Sequence, residues 1–169
     1  ATTGQQEWAL GFDVEPWSTP TVHDSTVYVG STGEGVHALS ASDGEPQWTF
    51  NPGYRIRSSP AVVDETLYVV TYGGRVYAVD LQTRDVLWST DVDGNVTSAV
   101  AVVDGTVYIG DNDGAVHALS ADDGANEWTA EFQVAPSHSV SPPAVANGTV
   151  YLTDLNYIYA FATNDGAEQ

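Results

Sequence analysis

Four tryptophans recur along the chain at a constant spacing of 40 residues: Trp8, Trp48, Trp88 and Trp128. A fixed period of this length indicates internal repeats, in which one supersecondary unit is stacked on the next. We therefore expect residues 1–169 to form one domain. Cutting the chain before each tryptophan divides it into the units 8–47, 48–87, 88–127 and 128–169.

Each unit contains short runs of β-branched and aromatic residues that are typical of strands. The clearest runs read TVYVG at 26–30, TLYVV at 66–70, TVYIG at 106–110 and TVYLT at 149–153. Two-residue links such as Asp104-Gly105 and Asn147-Gly148 precede two of these runs and favour tight hairpin turns. No window has a helical period. The pattern predicts an all-β fold, a β-propeller with four antiparallel four-stranded blades per chain.

The charge of the chain is strongly acidic, with 23 Asp and Glu against 4 Lys and Arg and a net charge of −19. Such a charge destabilises a compact chain through self-repulsion at low salt. Molar salt shortens the Debye length to about 3 Å and removes most of that cost. The acids are spread along the whole chain, so we interpret them as an adaptation to high salt, typical of an extremely halophilic archaeon, rather than as one face for a basic partner.

The composition also excludes several classes of function. Nucleic-acid binding requires clustered Lys and Arg, and the chain has the opposite balance. No stretch approaches the roughly 20 apolar residues of a membrane helix, so we expect no membrane insertion. The sequence has no cysteine, which excludes disulfides, thiolate metal sites and cysteine nucleophiles.

Three segments resemble the tryptophan-docking motif of pyrroloquinoline-quinone (PQQ)-like repeats, and TGQQEW at 3–8 is similar to the tail of that motif. The segments are ALSASDGEPQW at 38–48, AVDLQTRDVLW at 78–88 and ALSADDGANEW at 118–128. Arg84 stands where the motif has its turn glycine. The resemblance implies that each of the four indoles packs between adjacent blades and holds one sheet against the next.

The two ends of the chain are predicted to complete each other. The repeat begins with an outer strand carrying Trp8 and closes with three strands of a fourth set, so we expect the N-terminal strand to close the last blade. Propellers of PQQ-like repeats usually have seven or eight blades. We therefore favour an eight-bladed ring made by a homodimer; half of a longer propeller is an alternative, and a closed four-bladed monomer is a third.

A cluster of arginine and aromatic residues is expected on one rim. The loop NPGYRIR (51–57) and the loop TYGGR (71–75) should bring several of them together, with loops of other blades contributing the rest. Arginine and aromatic residues are common in binding hot spots. The alternative is that the arginines pair with nearby acids and join the blades. The predicted rim residues are Trp17, Tyr54, Arg55, Arg57, Tyr72, Arg75 and His138.

Two aspartate-rich loops resemble fragments of calcium loops, DVDG at 91–94 and DNDG at 111–114. Both lack the downstream Glu of an EF-hand, and Asp with Gly is also typical of β-turns. We expect turns, with a cation as the alternative. Its first candidate ligands are Asp91, Asp93, Asp111 and Asp113.

The resemblance to PQQ-like repeats leaves three functions open. The first is a non-catalytic scaffold that binds a protein or peptide partner, similar to scaffold lipoproteins of bacterial envelopes, which implies an extracytoplasmic or envelope location. The second is a fragment of a PQQ- and calcium-dependent quinoprotein dehydrogenase, whose relatives carry a catalytic aspartate and a disulfide beside the cofactor. The third is a purely structural cell-surface repeat. We favour the first, without a cofactor, because no catalytic residues can be identified.

Overall fold

The computed structural model describes residues 4–13, 15–33, 35–133 and 139–169, which contain only β-strands, turns and loops. The first sheet contains β1 (Thr21–His23), β2 (Thr26–Ser31), β3 (Gly35–Ser40) and β4 (Pro46–Phe50). The second contains β5 (Ala61–Val63), β6 (Thr66–Val70), β7 (Arg75–Asp80) and β8 (Val86–Asp91). The third contains β9 (Ala101–Val103), β10 (Thr106–Gly110), β11 (Ala115–Ser120) and β12 (Asn126–Glu131). The fourth contains β13 (Ala144–Ala146), β14 (Thr149–Thr153) and β15 (Ile158–Ala162).

Within each sheet the strands pair in sequence order and antiparallel, as the strand runs predict. The links between the first two strands are two-residue turns. In Asp24-Ser25 and Asp64-Glu65 both residues have positive φ, as a type I′ turn requires. Asp104-Gly105 and Asn147-Gly148 have the same conformation. The all-β prediction is therefore confirmed.

The hydrophobic core is divided into three clusters, and each cluster is shared by two successive sheets. Leu67 and Val69 of the second sheet pack with Tyr28 and Val36 of the first. Equivalent clusters join the second sheet to the third and the third to the fourth. The short first strands are neighbours, β1 beside β5, β5 beside β9 and β9 beside β13. Face-to-face packing with the first strands innermost is the arrangement of propeller blades.

The fourth sheet differs from the other three because it has three strands. Beyond β15, only an isolated bridge between Phe161 and Glu168 begins a fourth strand. The described part of the N-terminal segment, residues 4–13, has no strand pairing and does not complete this sheet within the chain. Among the described residues of a single copy the N-terminal segment therefore forms no closing strand, and closure of the last blade by this segment stays a prediction. The described residues also contain no helix that could span a membrane.

Candidate functional site

The indoles connect successive repeats through their ring nitrogens. Trp88 Nε1 donates a hydrogen bond to the Ala121 carbonyl of the next sheet at 2.8 Å, and Trp128 Nε1 donates to the Thr163 carbonyl at 2.8 Å. Trp8 Nε1 donates to the Ala41 carbonyl at 3.1 Å, although its own segment is not part of a sheet. A buried indole needs such a partner for its N–H group. These side chains therefore occupy structural positions.

Trp48 occupies a different environment because of Arg84. Where the other three indoles dock, the turn residue is Gly44, Gly124 or Gly166, each with positive φ and no room for a side chain. Arg84 has a φ of 67° and its guanidinium carbon lies 5.7 Å from the Trp48 ring centroid. Trp48 is half-buried, whereas Trp88 and Trp128 are buried. Trp8, which docks over Gly44, is half-buried as well, so Trp48 differs from the other indoles by its contact with a guanidinium rather than by its exposure.

The predicted rim contains a stacked cation. The Arg57 guanidinium carbon lies 5.0 Å from the Trp17 ring centroid and 4.9 Å from the Tyr72 ring centroid. Both distances are within the range of cation–π attraction. Trp17 is 54% exposed, and Arg57 and Tyr72 are half-buried. We call these three side chains the arginine stack.

Backbone hydrogen bonds between loops hold the arginine stack in place. Tyr72 N–H donates to the Arg55 carbonyl at 2.8 Å, and the Tyr72 carbonyl accepts from Val96 N–H at 2.9 Å. Trp17 N–H donates to the Gly30 carbonyl at 3.1 Å. These bonds fix the backbone of Trp17 and Tyr72, and of Arg55 in the loop that also carries Arg57. The stack is therefore positioned by the scaffold rather than by one flexible loop.

The charge of Arg57 has no acidic partner among the residues that the structure describes. Its Nε atom is buried without a hydrogen-bond partner, and no described carboxylate forms an ion pair with it. In a chain with net charge −19 an unpaired arginine is unexpected. A buried polar atom without a partner carries a free-energy cost unless a ligand or water satisfies it.

The other predicted rim residues separate into two groups. Arg75 pairs with Asp91 at 3.5 Å and donates to Ser89 Oγ at 3.2 Å, so it joins two strands of one sheet. Tyr54, which is 63% exposed, and Arg55 lie on the surface beside the arginine stack. His138 lies outside the described residues.

A second feature is an acidic cavity of about 250 Å³ between the second and third sheets, lined by Asp93, Asp111, Asp113, His117 and Glu131 among others. Asp111 is buried, and its Oδ1 atom accepts N–H bonds from Asp113, Gly114 and Ala115 at 2.8–2.9 Å. Its Oδ2 atom lies 2.7 Å from Nε2 of His117. Burial would raise the pKa of Asp111, but the His117 contact and the backbone N–H bonds outweigh burial and lower it.

The candidate calcium ligands do not converge on one ion. Both oxygens of Asp111 are already used, and Asp91 is paired with Arg75. Asp91, Asp93 and Asp113 are exposed, which leaves Asp93 and Asp113 as the two exposed carboxylates of this set without an ion pair to arginine among the described residues. Calcium takes six to eight oxygen ligands, so these residues do not fit a calcium site.

The acidic cavity does not fit PQQ either. PQQ is a quinone with three carboxylates, which a binding site must neutralise with cations or N–H donors. The described lining residues contain three exposed acids, Asp93, Asp113 and Glu131, and no arginine. These carboxylates would repel the carboxylates of PQQ. No step of catalysis is therefore assigned to this cavity.

The Asp111–His117 pair was not predicted, because the sequence analysis considered Asp111 only as a turn residue or a cation ligand. A signal was present in the repeat. Position 111 corresponds to Ser31 in the first unit, where the Ser31 hydroxyl lies 3.1 Å from Nε2 of His37. A polar residue six positions before a histidine therefore occurs twice, 80 residues apart.

Comparisons with known proteins support the repeat assignment. A family model described as outer membrane protein assembly factor BamB matches residues 1–95 and, in a second alignment, residues 73–169. No curated protein matches the sequence of the chain.

Solved structures show the same fold at low sequence identity. BamB from Moraxella catarrhalis is 20% identical with a TM-score of 0.75, and the match covers 92% of this chain but 50% of that one. A quinohemoprotein alcohol dehydrogenase, ADHIIG from Pseudomonas putida HK5, is 22% identical with a TM-score of 0.77, covering 96% and 35%. The computationally designed Ika4 protein is 14% identical with a TM-score of 0.78, covering 95% and 99%. The chain thus spans half or less of the two natural proteins.

Proposed function

This chain belongs to the family of the outer membrane protein assembly factor BamB, and we propose that it is a non-catalytic binding module for a partner protein at the cell envelope. The family supports a scaffold role, and the acidic cavity gives no support to quinone chemistry. The observation that carries the proposal is the arginine stack, which is partly exposed and has no acidic partner among the described residues.

The chemistry of the arginine stack defines the segment it would bind. The guanidinium lies within cation–π distance of two aromatic rings, and its edge with the two terminal NH₂ groups is the part that would contact a ligand, because Nε is buried. A carboxylate accepts two parallel N–H bonds from such an edge. Exposed Trp17 and Tyr54 add apolar surface beside it. The proposed ligand is a peptide segment of the partner with an Asp or Glu next to an apolar residue.

The test compares two arginines of the same rim. A display library of short peptides, each with one Asp or Glu, is selected against the chain in about 1 M KCl, which screens the overall acidic charge. The tightest peptide is then labelled and titrated. We expect Arg57→Gln to weaken its binding about thirtyfold, the ratio that corresponds to a 2 kcal/mol hot spot.

Arg75→Gln is the matched control, because it removes the same charge from an arginine that is already paired with Asp91. We expect it to change the affinity less than about twofold, since surface ion pairs contribute little. Equal losses in the two variants would show that only net charge matters. A library without any binder would support the alternative of a purely structural repeat.

We further propose that two copies of the chain form one eight-bladed ring. In the first three sheets a tyrosine of the second strand packs on the docking tryptophan of the fourth strand, with centroid distances of 5.9–6.1 Å. Those pairs are Tyr28–Trp48, Tyr68–Trp88 and Tyr108–Trp128. The equivalent Tyr151 of the fourth sheet has no such tryptophan and is 39% exposed.

The N-terminal segment has a docking tryptophan that no described tyrosine contacts. Trp8 docks on the first sheet but has no tyrosine partner among the described residues, and its segment has no neighbouring strand. Residues 167–169 bond to β15 at Ala160 and Ala162, but the edge of β15 is open at its other end, where Ile158 is 71% exposed. In the proposed ring, residues 8–12 of one copy pair with β15 of the other and Trp8 packs on Tyr151. Such an arrangement is two-fold symmetric and removes the exposed strand edges.

A further inference from the structure

At the opposite end of the innermost strands, one histidine and two carboxylates from adjacent blades converge. His23 ends β1, and Asp24 is the first residue of the turn that follows. Glu65 is in the equivalent turn of the second sheet. Nε2 of His23 lies 3.6 Å from Asp24 Oδ2 and 3.6 Å from Glu65 Oε1. Among the described residues, these three form the group of potential metal ligands whose ligand atoms all lie within 4.8 Å of one another.

The ring nitrogen of His23 has no hydrogen-bond partner. Its side chain is 29% exposed, but Nε2 itself is buried from solvent. Both carboxylate oxygens are slightly too far for a hydrogen bond to it. A buried imidazole nitrogen that faces two carboxylates at equal distance is unusual in a native structure, where buried polar atoms are nearly always satisfied.

The distances from His23 Nε2 to the two carboxylate oxygens are close to those between ligands of one metal ion. With Zn–N and Zn–O bonds of about 2.0–2.2 Å, the ligands of a tetrahedral zinc ion are about 3.4 Å apart. The two measured separations are 0.2 Å longer than that value. Imidazole nitrogen with carboxylate oxygen is a donor set that suits zinc and its neighbours in the first transition series rather than magnesium or calcium. Three protein ligands leave the fourth coordination position of a tetrahedral ion open.

The local backbone holds these ligands in place. Asp24 and Glu65 are in turns with positive φ at both central residues, and this backbone conformation fixes the direction of each Cα–Cβ bond. The first two sheets are joined beside the cluster, because Thr21 Oγ1 donates to the Pro60 carbonyl at 2.6 Å. Thr19 N–H also donates to Ser59 Oγ at 2.9 Å. The carboxylates are exposed, so an ion can reach them.

We propose that His23, Asp24 and Glu65 form a site for one divalent transition-metal ion, with zinc as the expected metal, that connects the first two blades. The site is independent of the arginine stack and of the ring proposal. The third sheet provides a natural comparison, because Val103 and Asp104 occupy the positions of His23 and Asp24. The acidic turn is kept there, but the nitrogen ligand is missing.

The test titrates the whole chain with Zn²⁺ by calorimetry, with excess Mg²⁺ present to occupy non-specific carboxylates. We expect one Zn²⁺ per chain. His23→Gln and Glu65→Gln should each weaken binding by at least about tenfold, the smallest loss typical of damage to a metal site. Asp104→Asn, the matched control, should change it by less than about twofold.

Two further readouts separate a defined site from diffuse binding to an acidic surface. Co²⁺ in place of Zn²⁺ should give the intense visible absorption of a four-coordinate ion, and His23→Gln should abolish it. Zn²⁺ should raise the unfolding temperature of the parent chain but not of His23→Gln, because a ligand stabilises only the state that binds it. Equal Zn²⁺ affinity in His23→Gln and the parent, or displacement of Zn²⁺ by Mg²⁺, would overturn the proposal.

Discussion

At the scale of single residues, the docking of Trp8, Trp88 and Trp128 depends on the absence of a side chain at the turn beneath the indole. A Cβ atom at Gly124 would lie 2.4 Å from Trp88 Cε3 and 2.7 Å from Thr90 Oγ1. Gly124 also has a φ of 72°, which disfavours other residues. Steric exclusion and backbone conformation thus act together at this residue.

Gly124→Ala and Gly105→Ala separate these two effects. Gly105 has a φ of 80°, but a Cβ atom there would meet nothing within 4 Å. We expect Gly105→Ala to lower the free energy of unfolding by about 1 kcal/mol, the cost of the left-handed conformation. Gly124→Ala should cost about 2–4 kcal/mol, since overpacking adds about 1–3 kcal/mol. Urea denaturation measures both, and equal losses would show that the indole is not tightly seated.

The sequence predicted the positions of the indoles but treated the four as equivalent. Arg84 was visible as a departure from the docking motif. Its consequence, a guanidinium packed against the Trp48 ring, depends on the direction in which the arginine side chain leaves the turn. The repeat pattern contains no information on that direction.

At the scale of single elements, the loop between β10 and β11 shows what an aspartate-rich turn does here. The carboxylate of Asp111 is saturated by three backbone N–H groups and His117. The spacing of the DNDG segment allows either a turn or a cation loop, and the sequence does not distinguish them. Deciding between them requires knowing that the β10–β11 register places His117 beside Asp111.

Asp111→Asn should destabilise the chain in a pH-dependent way. Because the folded state lowers the pKa of Asp111, its charged form stabilises the fold above the unfolded pKa of about 3.9, and this contribution is lost as pH falls through the folded pKa. We expect a loss of about 2 kcal/mol at pH 7, typical of a hydrogen-bonded buried charge. The difference from the parent chain should shrink in acid.

Urea denaturation at neutral and acidic pH measures this effect. Asp113→Asn is the control, because Asp113 is in the same turn but exposed. It should change the free energy of unfolding by less than about 0.5 kcal/mol. A loss for Asp111→Asn that stays constant with pH would contradict a role for its charge.

At the scale of the whole molecule, the period of the sequence was enough to predict four sheets and their order, because each unit repeats the same strands and turns. The loop positions also predicted that Trp17, Arg57 and Tyr72 share one rim, but neither the packing of Arg57 against the two rings nor the His23 cluster could be predicted from the period. Both are made by side chains from different units whose repeat positions are not equivalent. Arg57 meets Trp17 and Tyr72, and His23 meets Glu65, only because neighbouring blades lie side by side.

The acidic charge affects the assembly of the two-copy ring as well as the stability of the single chain. Each copy carries a net charge of −19, so two copies repel each other when the charges are poorly screened. The Debye length is about 10 Å at 0.1 M salt and about 3 Å at 1 M salt. If the chain is adapted to high salt as we propose, the ring should assemble in molar salt and dissociate when the salt is removed.

The mass of the chain in solution, measured by light scattering in about 1 M KCl, tests the completed ring most directly. One copy has a mass of 17.9 kDa, and we expect twice that value for the two-copy ring, with a fall towards one copy at low salt. Trp8→Ala should shift the molar-salt mass towards one copy, because it removes the side chain proposed to pack on Tyr151. A mass of one copy in molar salt at every protein concentration would contradict the ring and leave the edge of β15 open.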